Sequence, residues 1–439
     1  MLNRYFRQAY VLAGLVVFIW ASCKPVIDIP QTTLGHIDAR HYYALGDGYS
    51  AGFGNGDWSA ASTKGLYEAA QATAFPVLLS QQLADIAPVA FNQHLAPAHG
   101  SGYRSLASIE RPFCHFLDVH PVFQTHVAGT SWERAPLPED TIHNLAIPHL
   151  RLAYVDEDSF GRSSPFFRRM AANRETKYIE LLDKPRISFF TLWLGTEDVL
   201  DHAMNGGSPT TGLLSAGQFA HKYSLLLERI GRQAQPQLRG VVGTIPDVTR
   251  FPYFAQIAPF FINIENCTGT QLPVYIQTRS GDVRIALPQD RLLLPVKDEI
   301  GSENGLPGRL GFHPENPLPG QRILDQDEVA LLRTHIHTYN HIIDSLVQVF
   351  NQSYDTPRLL VCDLYALFEG VAANSTYDGL LLTNTYLEGG VFGLDGVYLT
   401  PRGQALVANT FLETINQAKD FKARIPKLQL ALYPGVAYP

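Results

Sequence analysis

Little in this sequence would carry it to a nucleic acid, a metal or a disulfide framework. Its 34 Lys+Arg and 41 Asp+Glu give a formal charge of −7, and charged residues are only 17% of the chain. They are spread along the chain without a block of one sign, so no basic face for nucleic acid or anionic lipid is expected. The four cysteines include no C-x-x-C pair, which argues against both a zinc site and a full set of disulfides. Cys362 lies in the apolar run Leu359-Leu360-Val361 and reads as a buried small hydrophobe. Pairing among Cys114, Cys267 and Cys362 stays open. No repeat or low-complexity block occurs, no histidine follows His341, and the apolar run from Ala9 to Ala21 is too short for a comfortable membrane span.

What is present starts with that run. Arg4 and Arg7 precede it, small Ala21 and Ser22 end it, and Cys23 follows. Basic, apolar and small-residue regions in this order suit a secretory signal. The residues before Cys23 also resemble a bacterial lipobox, although Trp20 is unusual there. The expectation is a signal peptide over 1–22 and a lipidated Cys23 that holds the protein on a membrane at the bacterial cell envelope, facing the periplasm or the surface. Each buried acyl CH₂ contributes about 0.8 kcal/mol to such an anchor. Residues 23–40 read as a tether, and 41–439 as one folded domain; a 46% hydrophobic content supports a sizeable core.

Strand-like runs at Tyr42–Leu45, Ile187–Leu194, Gly240–Ile245 and Leu359–Cys362 alternate with helical segments, the pattern of an α/β fold with a mainly parallel sheet. The clearest helix spans Gln326 to Phe350: Asp325 caps it, Glu328 completes a capping box, and Val329, Leu332, Ile336, Tyr339, Ile343, Leu346 and Phe350 form one apolar stripe. A last helix opens at Pro401 behind Thr400. Residues from about 254 to 319 read as an insertion carrying a β-hairpin around Arg279-Ser280-Gly281-Asp282.

Four stretches, "ALGDGYSAGFG", "NLAIPHLRL", "LWLGTEDVL" and "FGLDGVYLTPRGQALVAN", stand in the order and at the kind of spacing of the four blocks of the SGNH/GDSL hydrolase family. The chain resembles that family from about Tyr42 to Ile415. The resemblance implies a three-layer α/β/α fold, no cofactor, and an ester-hydrolysing ancestry acting on lipids, carbohydrates or small acyl compounds. It also implies positions for a site. The nucleophilic serine falls on Gly48, a second-block glycine on His149, with Gly100 or Gly102 as alternatives, the asparagine oxyanion donor on Glu197, and the Asp-x-x-His pair on Asp395 and Tyr398.

Almost every position departs from the chemistry required. A serine needs a histidine to take its proton, a carboxylate behind that histidine, and N–H groups facing the oxyanion. Glycine cannot attack, tyrosine is a phenol of reference pKa about 10, and an ionised glutamate only accepts hydrogen bonds. Three readings follow. The chain is a catalytically impaired binding or scaffold protein with a small-molecule, glycan or protein ligand in the former cleft; or an active esterase with a relocated nucleophile such as Ser50 and His149 as base; or a repurposed site in which Asp47, Glu197 and Asp395 converge. Locally, Asp47 is expected to bond its own turn, Ser50 to cap or pack the helix start, and Tyr398 to donate to Asp395. His335, His337 and His341 read as surface histidines with no metal, Pro246 and Asp247 as rim-shaping residues, and Phe251, Tyr253, Phe254, Phe260 and Phe261 as core.

Overall fold

A computed structural model describes residues 31–57, 62–110, 120–133, 141–171, 173–183, 186–232, 234–257, 260–262 and 271–438. Cys23, Cys114, Cys267, the signal segment and residues 23–30 of the tether lie outside them. Four strands form the central sheet: β1 (Tyr42–Gly46), β2 (Ile187–Trp193), β3 (Ala234–Gly243) and β4 (Leu359–Cys362). They are hydrogen-bonded in that order and every pair is parallel. The third strand begins and ends earlier than the expected Gly240–Ile245; Ile245 lies beyond it, tied through its backbone to Asn340.

The reason for the parallel sheet is visible in β2, where all of Ile187 to Trp193 are buried. A strand apolar on both faces needs cover on both. One helix pair provides it through α2 (Phe75–Ala84) and α7 (Pro401–Gln417), whose Phe75 and Phe411 rings stack at 4.9 Å. The other is α4 (Ala216–Arg232) with α5 (Gln326–Asn351), joined by Phe219 stacked on Tyr339 at 4.0 Å. The result is the expected three-layer α/β/α arrangement. The capping box of α5 is present, with Asp325 accepting from Asp327 and Glu328 backbone N–H groups and Glu328 accepting from Asp325. Thr400 caps α7. Along α5 the buried stripe ends at Val347, while Leu346 and Phe350 are only half-buried.

Packed chain starts at Thr33, ahead of the expected start at His41. Thr33 pairs with Arg424, and Leu34, Ile37 and Ala39 are buried. The insertion carries its hairpin, Tyr275–Gln277 against Val283–Ile285, and has a core of its own. Ile257, Val274, Ile276, Ala286, Leu292, Val296, Ile300, Leu318 and Ile323 pack together apart from the main core. Cys362, Phe251, Tyr253 and Phe254 are buried as expected. Among the described residues no helix is long and apolar enough to cross a membrane.

Candidate functional site

The four sequence blocks meet at the C-terminal ends of β1 and β2, the edge where open parallel sheets place their ligands. Gly46 of β1 is in register with Trp193 of β2, so the turns that follow lie side by side. After β1, Asp47 caps the short helix α1 (Gly48–Ala51), accepting from Tyr49 N–H at 3.1 Å. After β2, Gly195 at φ +111° opens α3 (Thr196–Met204), and a Cβ on it would stand 2.7 Å from Ile245 Cδ1. Only glycine fits both that backbone and that contact.

The other two blocks are stitched on by buried and half-buried hydrogen bonds. Asn144 Nδ2 donates to the Ser50 carbonyl at 3.1 Å. Asp198 accepts from the backbone of Leu152 at 2.6 Å and Ala153 at 3.1 Å. Asn55 accepts from Leu394 N–H at 2.9 Å, and Gln404 donates to the Tyr49 carbonyl at 3.1 Å. His149 sits between these ties at φ +61°, a left-handed conformation that costs a side-chain-bearing residue about 1–2 kcal/mol and that glycine adopts freely. That is the backbone a glycine position would have.

At Gly48, where the resemblance would put a nucleophile, the space is full. A Cβ on Gly48 would stand 2.7 Å from Tyr398 Cε1, 3.0 Å from Glu197 Oε1 and 3.3 Å from Tyr398 Cζ. The Tyr398 ring packs on Tyr49 at 5.1 Å and on Phe53 at 5.0 Å. Its hydroxyl donates to Glu197 Oε1 at 2.6 Å, not to Asp395 as expected. Asp395 is committed instead to backbone N–H groups of Val397, Tyr398 and Gly56 at 3.0, 2.8 and 3.3 Å. A phenol is longer than an imidazole, so its oxygen passes the aspartate and reaches the neighbouring helix.

The expected convergence of three carboxylates is therefore replaced by a pair. Asp395 faces its own turn, while Asp47 and Glu197 interact. Asp47 is wholly buried and its Oδ2 has no hydrogen-bond partner. Burial and the nearby Glu197 charge raise its pKa well above the ordinary carboxylate range. Among the described residues no three His, Cys, Asp or Glu side chains form a metal-holding group.

His149 is the polar link to the outside. Its Nε2 faces the Ser62 carbonyl at 2.8 Å, which assigns the proton to that nitrogen. Its Nδ1 lies 3.5 Å from the Tyr398 hydroxyl and 3.8 Å from Glu197 Oε2. Burial pushes its pKa down, yet the Glu197 carboxylate and the Ser62 carbonyl outweigh it and the net shift is upward. Ser50 is in a different place. Its Oγ is buried with no hydrogen-bond partner, packed where a Cβ on Gly46 would meet it at 2.4 Å. It neither caps the helix, which Asp47 does, nor contacts His149, so the relocated-nucleophile arrangement is absent.

Of the remaining expectations, Gly100 and Gly102 occupy left-handed turns beside Leu66 and His126 rather than lining the cleft. Asp247 is buried, accepting from Thr249 and from Arg333 Nε at 2.9 Å. His337 and His341 are exposed and His335 half-buried on α5.

Two spaces flank this network. The space bounded by Phe53, Gly56, Leu200, Met204, Asp395 and Tyr398 is a void of about 10 Å³. Beside it, and sharing Ser62, His149, Glu197 and Asp201 as a wall, is a cavity of about 520 Å³. Arg151, Tyr154, Phe160 and Phe166 complete the larger one. Sequence reasoning missed these residues. Two signals pointed to them: Arg151 lies two positions after His149, and Asp201 stands four after Glu197 on α3, one turn along the same face.

No protein-family model matches the chain, and no curated protein matches it. Among solved structures, an extracellular lipase from Streptomyces rimosus is similar at 12% identity, over 85% of this chain and 98% of that one, with a TM-score of 0.35. That likeness is too distant to assign a family.

Proposed function

We propose that this chain is an SGNH/GDSL-like hydrolase frame whose ester-cleaving centre has been closed, and that it acts as a binding or scaffold protein. The observation that carries this reading is the filled nucleophile position. The Tyr398 ring and Glu197 occupy the place of the Gly48 side chain, and the Tyr398–Glu197 hydrogen bond holds them there. Losing nucleophile and base together removes a unit whose loss costs on the order of a million-fold in turnover in serine proteases.

The same geometry says how to reopen it. Wild-type protein is expected to show no turnover of a short-chain aryl ester above a Ser50→Ala control. Gly48→Ser with Tyr398→His removes the ring that a serine would strike and supplies both lost groups, and is expected to yield weak hydrolysis. Adding Glu197→Asn removes the second close contact and replaces an acceptor with a donor, an improvement of about 3 kcal/mol in the barrier where the oxyanion geometry is met. Wild-type turnover that vanishes in Ser50→Ala would sink the reading.

The protein is further proposed to be lipid-anchored at the cell envelope through Cys23, supported by Arg4, Arg7, the apolar run and Ala21-Ser22 before the cysteine. Cys23→Ser is expected to move the protein from the membrane fraction to the soluble fraction. Retention of a fully processed Cys23→Ser chain on the membrane would rule the lipid out as the anchor.

A further inference from the structure

The polar groups around the 520 Å³ cavity differ in what they have left to give. Arg151 is nearly buried; it donates from Nη1 to Asp201 at 3.0 Å and from Nη2 to the Gly212 carbonyl at 2.9 Å, while its Nε lies 3.9 Å from Asp198. His149 donates from Nε2 to the Ser62 carbonyl and turns Nδ1 toward Glu197. Arg151 is thus held by protein acceptors at both terminal nitrogens, its unpartnered Nε is buried, and neither residue offers a free pair of donors to a carboxylate or phosphate.

Glu197 is the exception. Its Oε1 takes the Tyr398 hydroxyl, but its Oε2 has no hydrogen bond among the described residues, the nearest cationic nitrogen being 3.8 Å away. The residue is only 3% exposed and lines the cavity, so beyond this long approach to His149 Nδ1 its Oε2 has acceptor capacity to spare. A hydroxyl that donates to it forms a charge-assisted bond, roughly twice as strong as a neutral one. Phe160 and Phe166, both buried, add aromatic surface to the same cavity, and the exposed Ser159 and Ser163 put hydroxyls at its rim.

Charge decides among ligand classes. A second cation would meet Arg151 as a like charge, and an anion would meet Glu197 and Asp201, with the one unpartnered Arg151 nitrogen, Nε, buried. A neutral ring with hydroxyls on its edge and C–H groups on its faces suits both kinds of wall. The volume lies within the roughly 300–1,000 Å³ of small-ligand sites. We propose that this cavity binds a neutral sugar of mono- or disaccharide size, one hydroxyl donating to Glu197 Oε2 and a ring face resting on Phe160 or Phe166. The proposal rests on the binding reading above and names its ligand class.

The test is a titration of the full chain with glucose, galactose, mannose, N-acetylglucosamine and their β-linked disaccharides. Decanoate and phenethylamine serve as apolar anion and cation. Binding is followed by thermal unfolding and by tryptophan fluorescence, since Trp132 packs on Phe166 at 5.4 Å. A saturable response to at least one neutral sugar is expected, weakened tenfold or more by Ser163→Trp, which fills the exposed rim without loading the core, and by Phe166→Ala. Silence from every sugar, a sugar response untouched by Ser163→Trp, or saturable binding of decanoate or phenethylamine in their place would each overturn the proposal. Those results with a wild type inert to esters would remove the ligand class alone, whereas ester turnover by the wild type would remove the binding reading.

Discussion

Two spaces meet at the wall made by Ser62, His149, Glu197 and Asp201, and they have opposite characters. On one side about 10 Å³ remains where the family's reaction centre would stand; on the other about 520 Å³ is open. Within that wall Glu197 is held by the Tyr398 hydroxyl and His149 by the Ser62 carbonyl. The Tyr398 ring fills the space that a side chain on Gly48 would need. The open side owes nothing to that ring. Its aromatic residues, Phe160 and Phe166, come from a segment outside the four blocks.

The largest expected effect comes from removing that ring. Tyr398→Ala should cost about 3–5 kcal/mol in unfolding free energy, the range for truncating a buried aromatic, and should merge the two spaces. Urea unfolding measures the first. A cost below about 1 kcal/mol would mean that the ring does not fill the closed side. Next, Gly48→Ser alone overpacks that side against a buried ring and should cost about 1–3 kcal/mol. Tyr398→His added to it should recover most of that loss, a coupling read by a double-mutant cycle. Additivity of the two changes would separate Gly48 from Tyr398 and break the comparison.

The smallest effect is a pH dependence on the closed side. Because the folded pKa of Asp47 is raised by burial and by Glu197, the stability it contributes is fully present below the ordinary value of 3.8 and is lost as pH rises through the folded value. Asp47→Asn keeps an oxygen for Tyr49 N–H and carries no charge at any pH. The variant's melting temperature should match wild type near pH 3.8 and gain on it as the pH is raised. A gain that appears only on acidification would show that Asp47 is ionised in the folded protein.

How far the sequence alone reaches can be judged residue by residue. Strand β4, the capping box of α5 and the Thr400 cap of α7 were legible, because each depends on neighbours within a few positions. So was the insertion's hairpin, written in a local turn around Gly281. That Gly48 carries no hydroxyl and Tyr398 a phenol was equally plain, since side-chain identity needs no geometry to be recognised. Contacts between blocks were not legible. That the Tyr398 hydroxyl reaches Glu197 rather than Asp395, that Ser50 is buried behind Gly46, and that Thr33 already belongs to the packed chain depend on residues far apart in sequence. The chain by itself determined which groups stand at Gly48, Glu197, Asp395 and Tyr398, because chemistry resides in side-chain identity; only the tertiary structure decided which of them meet and what stays open beside them, because volume and hydrogen-bond reach exist only between segments brought together by folding.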